Sequence, residues 1–591
     1  MGTPMAEPHD SSAALLPLTV WAPQAVTLEA VVRGADPTDA DADAVIPLVR
    51  DEGGVWRGTL PADTDYLLRV DGDTPRPDPR SPRQPYGVHG SSRTFDAAAF
   101  AWSDGAWAGR DVLGGVFYEV HVGTFTPEGT LDAAIAHLDY LAALGVDTVE
   151  LMPLAPFPGE RGWGYDGVSL YAVHESYGGP AALQRFVDAA HARGLAVCLD
   201  VVYNHFGPDG NYAPVFGPYF TDKHSTPWGA AINLDDEGAG GVRSFIIDNA
   251  LRWLRDFHID ALRLDAVHAL VDDSPRHILA ELSDAVAAVS QDTGRIATLI
   301  AESDENQIST ITATAEGGRG MDAQWADDVH HALHAWLTGE RFGYYVDFGS
   351  EETLAHAFEH VFVHDGTFST FRNKTWGAPV PDELARSRFV VFDQNHDQVG
   401  NRGLGDRPSQ RLAPAQVAGG AALLLLSPFT PLLFQGEEWG TRRPFLFFTD
   451  HAEDLGRAVT QGRRAEFATH GWEDLYGPDA TIPDPQDRAT FEASKVDWDE
   501  RTSPDHAPLL AWYRTLLRLR HEHLGDPDAE FSTSHGPGWF ALRHGPLRVT
   551  VAAHTDTTIE PVGTLVAAWG ETQLTPAGIR LISPAVTVSL E

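Results

Sequence analysis

Phe257-His258-Ile259-Asp260-Ala261-Leu262-Arg263-Leu264-Asp265-Ala266-Val267-His268 is the stretch that decides the fold. Residues 259–264 form a short, mostly apolar run that is typical of a parallel strand covered on both faces, yet the run contains Arg263 and is followed by Asp265. Side chains two apart on a strand share a face, so Arg263 and Asp265 point the same way. A guanidinium lowers the pKa of a neighbouring carboxylate, which makes Asp265 a candidate nucleophile. An internal salt bridge explains the same pair equally well at this point.

The alternation of apolar run, turn and amphipathic helix repeats on both sides of this stretch. Eight strands are predicted, at 116–120, 148–152, 195–201, 259–265, 297–302, 323–325, 389–392 and 431–434. Helical spacing of apolar residues lies between them, for example at 131–144, 181–193 and 243–257. Eight such units predict an α/β protein with a (β/α)₈ TIM barrel, whose functional groups lie at the carboxyl ends of the strands.

Short alternating runs flank the barrel on both sides and predict two β-domains. We expect an N-terminal immunoglobulin-like β-sandwich at 1–100 and a barrel at 101–500 with a short insertion at about 206–241. A helical connection and a C-terminal β-sandwich are expected at 501–591.

Composition excludes several classes of partner. The 591 residues carry 84 acidic and 42 basic side chains, a net charge of −42, which argues against binding to nucleic acid or to an anionic membrane surface. The single cysteine, Cys198, excludes an internal disulfide, and residues 1–20 lack the features of a signal peptide. We expect a cytoplasmic monomer or simple homo-oligomer with no nucleic-acid or membrane partner.

Carboxylates follow four of the predicted strands. The segments are Asp200-Val-Val-Tyr-Asn204-His205, Arg263-Leu-Asp265, Ile300-Ala-Glu302 and Asp393-Gln-Asn395-His396-Asp397. Clustered like charges split their pKa values. Asp265 beside Arg263 would stay ionised, and Glu302, with no obvious cation of its own, would hold its proton. Glycoside hydrolysis with retention requires such a pair, one carboxylate to attack and one acid to protonate the leaving oxygen.

A divalent metal is the alternative use of the same residues. Asp200, Asn204, His205, Asp265 and Glu302 include normal metal ligands, although Arg263 would repel a cation. His330 and His331 with Asp327 and Asp328 form a second candidate, but adjacent histidines on a helix point to different sides. We favour a role in lining the sugar site or starting a helix for that group, and we expect no metal and no cofactor.

The four carboxylate segments resemble, in order and spacing, the signature regions of the α-amylase clan of retaining α-glucan enzymes. The resemblance implies that Asp265 is the nucleophile, Glu302 the general acid and base, and Asp397 the carboxylate that orients substrate hydroxyls. It also implies substrate contacts by Arg263, His205 and His396, support by Asp200, and stacking of a sugar on Tyr165 in Gly162-Trp-Gly-Tyr-Asp-Gly167.

Further segments are similar to those of the maltooligosyltrehalose trehalohydrolases within this clan. They are Tyr118-Glu-Val-His-Val-Gly-Thr-Phe-Thr-Pro-Glu-Gly-Thr130, Pro85-Tyr-Gly-Val-His-Gly90, Asp322-Ala-Gln-Trp325, Leu337-Thr-Gly-Glu-Arg341 and Asn395-His-Asp-Gln-Val-Gly-Asn401. The resemblance implies hydrolysis of the α-1,4 bond next to the terminal trehalose of a maltooligosyltrehalose. Ala266-Val267-His268 stands where a typical α-amylase has a Lys-His pair, which argues against plain endo-amylase action.

Other residues are predicted to bind substrate with those already named: Asp260, Gln324, Trp325, Asp327, Asp328, Asn395, Gln398 and Asn401. A glucan branching or debranching enzyme is the alternative within the clan. A non-catalytic glucan-binding protein is the alternative of another class, and the presence of all three carboxylates, Asp265, Glu302 and Asp397, disfavours it.

Overall fold

The structure, a computed structural model, describes residues 14–34, 43–227, 229–469, 475–477, 480–526, 529–560 and 563–591. Residues 1–13, which belong to the stretch without signal-peptide features, lie outside the described residues. Within the described ranges no helix is both long and apolar enough to cross a bilayer.

Two antiparallel sheets form the N-terminal part of the chain. The strands are β1 (Leu15–Trp21), β2 (Leu28–Val32), β3 (Ala44–Pro47), β4 (Val49–Arg50), β5 (Val55–Pro61), β6 (Asp65–Val70) and β7 (Ser92–Arg93). One sheet has the order β1-β5-β4 and the other β3-β2-β6-β7. Val20 pairs with Trp56 across the first sheet, and both side chains are buried. Alternating burial of this kind gives each sheet one covered face.

A closed barrel forms the centre of the molecule. The strands of this region are β8 (Phe117–Val120), β9 (Thr148–Leu151), β10 (Ala196–Val201), β11 (Phe220–Thr226), β12 (Gly229–Ile232), β13 (Ala261–Leu264), β14 (Thr298–Ala301), β15 (Ala323–Trp325), β16 (Thr367–Ser369), β17 (Lys374–Trp376), β18 (Phe389–Phe392) and β19 (Thr430–Phe434). Eight of them close in the order β8-β9-β10-β13-β14-β15-β18-β19 with parallel pairing. The predicted barrel is confirmed, including its three-residue sixth strand. The pairs β11-β12 and β16-β17 are hairpins in the connecting loops.

Alternate residues of each barrel strand face the barrel interior. Phe117, Cys198, Ile300, Trp325 and Phe392 pack together inside and are almost fully buried. Cys198 is therefore a core residue, as its apolar surroundings in the sequence suggest. Because side chains alternate, the polar residues that continue these inward rows reach the carboxyl end of the barrel together.

Helices surround the barrel and continue into the C-terminal part. They are α1 (Val122–Phe125), α2 (Leu131–Ile135), α3 (Leu138–Leu144), α4 (Gly179–His191), α5 (Ala213–Phe216), α6 (Ala239–Asp256), α7 (Ile278–Thr293), α8 (Asp327–Thr338), α9 (Glu351–His360), α10 (His396–Gly400), α11 (Pro408–Arg411), α12 (Pro414–Leu425), α13 (Glu453–Thr469), α14 (Arg488–Ala493) and α15 (Ala507–His523). The window predicted as one helix at 131–144 is two helices, because the backbone turns at Ala136 and His137.

The C-terminal strands form one hydrogen-bonded antiparallel sheet. They are β20 (Phe531–Gly536), β21 (Trp539–His544), β22 (Leu547–Ala552), β23 (Thr557–Ile559), β24 (Thr564–Thr575) and β25 (Gly578–Leu590). Helix α15 fixes this part to the barrel because Arg520 donates hydrogen bonds to the carbonyls of Leu425 (2.7 Å) and Phe429 (2.7 Å).

Candidate active site

Arg263 is the centre of the polar cluster at the carboxyl end of the barrel. Its Nη1 lies 2.7 Å from Asp200 and 3.0 Å from Asp265, and its Nη2 lies 2.9 Å from Glu302. The guanidinium is fully buried and stands over the ring of Trp325, 4.3 Å from the ring centroid. Three carboxylates therefore share one cation in a buried site. The effective dielectric constant there is lower than in water, so electrostatic interactions are stronger.

Asp265 follows β13 directly and is held on both of its oxygens. Oδ1 accepts from Arg263, and Oδ2 accepts from the Asn204 side-chain amide at 2.7 Å. Asn204 also donates to the Asp265 carbonyl at 2.9 Å, so its amide contacts both the side chain and the backbone of Asp265. The side chain stays 11% exposed, which leaves a path to it from solvent. Asn204, weighed from sequence only as a metal ligand, instead orients this carboxylate.

Glu302 follows β14 and differs from Asp265 in its surroundings. Burial raises the pKa of Glu302, the Arg263 charge opposes that rise, and the Asp265 charge adds to it. The expectation that Glu302 has no cation of its own is wrong, since Arg263 contacts it directly. The Ala266 N–H donates to Oε2 at 2.8 Å, an orientation that accompanies a left-handed backbone at Ala266 (φ +39°). Such a φ is unfavourable for a residue with a Cβ, so the surrounding structure must enforce it.

His396 carries the second buried cation of the site. Burial opposes its charge, but the Glu119 carboxylate outweighs this and raises the pKa of His396 to about 10. Glu119 contacts both the ring Nδ1 (2.5 Å) and the backbone N–H (2.9 Å) of His396. On the other side, His396 Nε2 lies 2.7 Å from the Tyr165 hydroxyl, which donates to Asp200 at 2.6 Å. Glu119, His396, Tyr165 and Asp200 thus form one continuous chain of hydrogen bonds.

Glu119 and Glu150 are buried carboxylates that the sequence reasoning missed. They occupy neighbouring positions on β8 and β9 and face the barrel interior beneath the cluster. Both oxygens of Glu150 lack a hydrogen-bond partner among the described residues. Burial, together with the charge of Glu119, raises the pKa of Glu150 to about 8. A charged residue inside an apolar strand, the signal used for Arg263, could have found both of them.

Asp397 lies in the first turn of α10. Burial raises its pKa, the His396 charge opposes this, and the Glu302 charge adds to it. Asn401 donates to Asp397 at 3.1 Å, one helical turn later. Asn395 is the N-cap of the same helix, accepting from the Gln398 N–H at 2.7 Å, and its own amide nitrogen has no partner among the described residues. The helix start therefore presents Asp397 to the cluster.

His205 lies at the edge of the cluster, where its Nε2 is 2.9 Å from the Tyr165 carbonyl and its Nδ1 contacts Asn204. Burial lowers the pKa of His205 and favours the neutral imidazole. The residue thus connects the loop that carries Tyr165 to the loop after β10.

Asp327 and Asp328, at the start of α8, have different surroundings. Asp328 accepts from Asn306 (3.0 Å), from the Val363 N–H (2.7 Å) and from the His364 N–H (3.1 Å), so its carboxylate is used inside the fold. Asp327 makes no hydrogen bond or ion pair with the described residues, and burial, together with the charges of Glu302 and Asp397, raises its pKa to about 8. Asp327 is therefore the member of the pair that faces the cluster.

Two residues predicted to bind substrate lie elsewhere. Asp260 precedes β13 at the amino end of the barrel, where it accepts from Trp107 (2.7 Å) and from the Val197 N–H (2.8 Å) and contacts His191 (2.9 Å). Gln324 lies between the inward-facing Ala323 and Trp325 of β15, so its fully buried side chain points away from the barrel interior. The predictions that these two residues bind substrate are wrong. Asp260 lies at the amino end of the barrel, away from the cluster, and Gln324 points outward from β15.

The comparisons with known proteins agree with this fold. The sequence model of the α-amylase catalytic domain matches residues 95–214. A solved structure described as a putative α-amylase from Salmonella typhimurium superimposes with a TM-score of 0.86 at 36% identity, covering 99% of this chain and 98% of that one. The barrel, its rim of acids and these matches define a glycoside hydrolase of the α-amylase clan.

The curated relatives narrow the class to one family. The malto-oligosyltrehalose trehalohydrolase of Arthrobacter ramosus is 52% identical over 577 residues, which cover 96% of this chain and 98% of the relative. That of Mycobacterium tuberculosis (strain CDC 1551 / Oshkosh) is 48% identical over 564 residues, covering 93% and 95%. The chain belongs to the malto-oligosyltrehalose trehalohydrolase family.

Proposed function

We propose that this chain hydrolyses the α-1,4-glucosidic bond next to the terminal trehalose of a maltooligosyltrehalose, releasing trehalose and a maltooligosaccharide. The observation that carries the chemistry is the sharing of Arg263 by Asp200, Asp265 and Glu302, with one carboxylate braced and another shifted toward its protonated form. The names of relatives that align over nearly the whole chain support the substrate.

Asp265 acts as the nucleophile in the proposed reaction. Its carboxylate attacks the anomeric carbon, and the bond from that carbon to the leaving oxygen breaks as Glu302 transfers its proton to the oxygen. Glu302, then ionised, takes a proton from water, and the oxygen of that water attacks the anomeric carbon and releases Asp265. The two inversions give retention of configuration, and both carboxyl groups return to their starting states.

The charged groups around this pair support the reacting sugar. The Arg263 guanidinium and the Asn204 amide keep Asp265 oriented, while His396, whose pKa is raised to about 10, supplies a positive charge at neutral pH and fixes the Tyr165 hydroxyl. Asp397 and Asp327 offer acceptors for sugar hydroxyls, and the Tyr165 ring offers a stacking face. The Trp325 ring packs against the Arg263 guanidinium and keeps it in position.

A product assay tests the substrate assignment. The chain is incubated with a maltooligosyltrehalose and, separately, with the maltooligosaccharide of equal length, and trehalose and reducing sugar are quantified. We expect trehalose release with strong preference for the first substrate. Equal attack on both substrates would contradict the assignment. Creation of α-1,6 linkages on these substrates, or their loss from a branched glucan, seen by NMR, would favour a branching or debranching enzyme instead. The Asp265→Asn variant, assayed in parallel, gives the trehalose and reducing sugar formed without the proposed nucleophile.

The configuration of the first product tests the proposed double displacement. Proton NMR during the first turnovers distinguishes an α-anomer from a β-anomer before mutarotation mixes them. We expect the α-anomer on the maltooligosaccharide product, because two inversions restore the original configuration. Initial release of the β-anomer would contradict a nucleophilic role for Asp265 while leaving the trehalose specificity intact.

The domain boundaries and the cellular setting are also proposals. We propose a β-domain over 1–100, the catalytic barrel over 101–500 and a helix with a β-domain over 501–591, consistent with the separate sheets at the two ends. We propose a cytoplasmic enzyme, which the single cysteine supports, and a monomer or simple homo-oligomer.

A further inference from the structure

A second cluster of potential ligands lies outside the glycosidase cluster. His224 on β11, Asp235 before α6 and Asp273 after β13 each present one ligand atom, and these atoms lie within 4.8 Å of one another. His224 Nε2 is 2.9 Å from Asp235 and 3.8 Å from Asp273. Two segments of the insertion after β10 and the loop after Asp265 thus converge on one point.

Asp235 is the buried member of this cluster, with a side chain only 1% exposed. Its Oδ2 contacts Lys223 Nζ (2.7 Å) and His224 Nε2 (2.9 Å), and accepts from the Asp273 N–H (2.9 Å). Its Oδ1 is buried and has no hydrogen-bond partner among the described residues. A buried carboxylate oxygen without a partner costs free energy, so the cluster has an acceptor available for a further ligand.

The charges of the cluster are unbalanced. Asp235, Asp236 and Asp273 all act on Lys223, which is the one permanent cation among the described side chains in contact with Asp235. Lys223 is 41% exposed on a long, flexible stem, so it can move into solvent without opening the core. Asp273 is kept in place by its neighbour Asp272, which pairs with Arg243 (2.7 Å) and accepts from the Ile278 N–H (2.6 Å).

We propose that His224, Asp235 and Asp273 bind a divalent transition-metal cation, with Zn²⁺ as the best match, and that Lys223 occupies the cation position in its absence. One imidazole nitrogen and two carboxylates form a three-ligand set that suits Zn²⁺, whereas Ca²⁺ and Mg²⁺ prefer oxygen ligands. The unpartnered Asp235 Oδ1 allows that carboxylate to bind through either oxygen.

The position of the cluster gives the proposed metal a structural role. Asp235 belongs to the insertion after β10, whereas Asp273 belongs to the loop that follows Asp265. A bound cation would therefore join two loops at the carboxyl end of the barrel. This proposal does not depend on the identity of the glucan substrate.

Zinc binding by the full-length protein tests the proposal. Chelator-treated protein is titrated with ZnCl₂ in a calorimeter, and bound zinc is counted by elemental analysis after gel filtration. We expect one equivalent for the unmodified chain and at least a 10-fold loss of affinity in His224→Gln. Lys223→Met is expected to bind zinc about 10-fold more tightly, because a competing cation is removed.

Two further variants make the result decisive. His356→Gln removes a histidine that lies 3.1 Å from Asp365, a His–Asp pair outside the cluster, and should leave zinc binding unchanged. Asp273→Asn alters a ligand with a 69% exposed side chain and keeps the test open if Lys223→Met fails to fold. No saturable zinc in either the unmodified chain or Lys223→Met would overturn the proposal, as would zinc binding that His224→Gln and Asp273→Asn leave unaffected.

Discussion

Both ends of the barrel contain buried carboxylates, but the groups that contact these carboxylates differ. At the amino end, Asp260 is surrounded by Trp107, His191 and the Val197 N–H. Asp104 contacts both His191 (2.9 Å) and His258 (2.8 Å), with Arg295 at 3.4 Å. At the carboxyl end, three carboxylates share Arg263, and Asp327 makes no polar contact with the described residues.

The pKa values follow from this difference in donors. Burial raises the pKa of Asp104, but hydrogen bonds from His258 and His191 outweigh it and hold that pKa below its usual range. At the other end burial outweighs the Arg263 charge and the Tyr165 hydrogen bond and raises the pKa of Asp200 to about 7, and burial together with the charges of Glu302 and Asp397 raises the pKa of Asp327 to about 8. Asp104 and Asp260, which are surrounded by donors, hold the amino end of the barrel together, whereas Asp327, which lacks donors among the described residues, is available for a proton or for substrate.

Asp265→Asn should have the largest effect of these variants on activity, and it should not lower the stability. Loss of the nucleophile is expected to lower kcat by about 10⁴-fold or more, because an amide cannot form the glycosyl ester. The unfolding midpoint should stay the same or rise, since one of three carboxylates around Arg263 becomes neutral. Steady-state kinetics with thermal denaturation measures both quantities. Residual activity near that of the unmodified chain would remove Asp265 from the mechanism.

Glu302→Gln tests the proton donor at the same end. We expect kcat on maltooligosyltrehalose to fall by about 10²–10⁴-fold, the usual contribution of general acid catalysis. An α-maltosyl fluoride needs little protonation of its leaving group, so its cleavage step should be largely spared. The pKa of Glu302 is raised by burial, so the unmodified enzyme should lose activity as rising pH ionises Glu302, and this alkaline limb should disappear in the variant. Equal losses on both substrates would indicate a structural role.

Asp260 and Asp265 show what could be predicted from the sequence. They flank the same strand and carry the same functional group, and the sequence predicts both of them in the site. The barrel topology separates them, because the residue before a strand and the residue after it lie at opposite ends. Strand order and alternation were readable, which is why the barrel and the acid cluster were predicted. Partners distant in sequence, such as Glu119 for His396 and Arg263 for Glu302, required the three-dimensional structure.

Asp260→Asn should reverse the pattern seen for Asp265→Asn. Removing the charge of a buried network is expected to cost about 3 kcal/mol in the free energy of unfolding, because Asn keeps one side-chain oxygen and can no longer accept on both sides, from Trp107 and from the Val197 N–H. The activity of the folded fraction should be unchanged, since the contacts of Asp260 with the described residues all lie at the amino end of the barrel. Chemical denaturation with activity measured in its absence tests this. A loss of kcat without a loss of stability would place Asp260 in the site after all.

Asp327→Asn should change the stability in the opposite direction to Asp260→Asn. The pKa of Asp327 in the fold, about 8, lies above its ordinary value of 3.8, so the folded state binds more protons than the unfolded state between these pH values. The contribution of Asp327 to stability therefore falls as the pH rises from about 4 to about 8. Replacing the carboxylate should raise the free energy of unfolding by about 1–3 kcal/mol above pH 8 and leave it unchanged below pH 4.

The same substitution should weaken function, because the proposed role of Asp327 is to accept hydroxyls of the sugar. We expect KM for maltooligosyltrehalose to rise in the variant that is more stable, which would make stability and binding change in opposite directions at one residue. Asp328→Asn is the matched control. Its carboxylate accepts from Asn306 and two backbone N–H groups instead of facing the cluster, so its replacement should leave KM unchanged. If both variants raised KM equally, the orientation of Asp327 toward the cluster would not be what distinguishes it from Asp328.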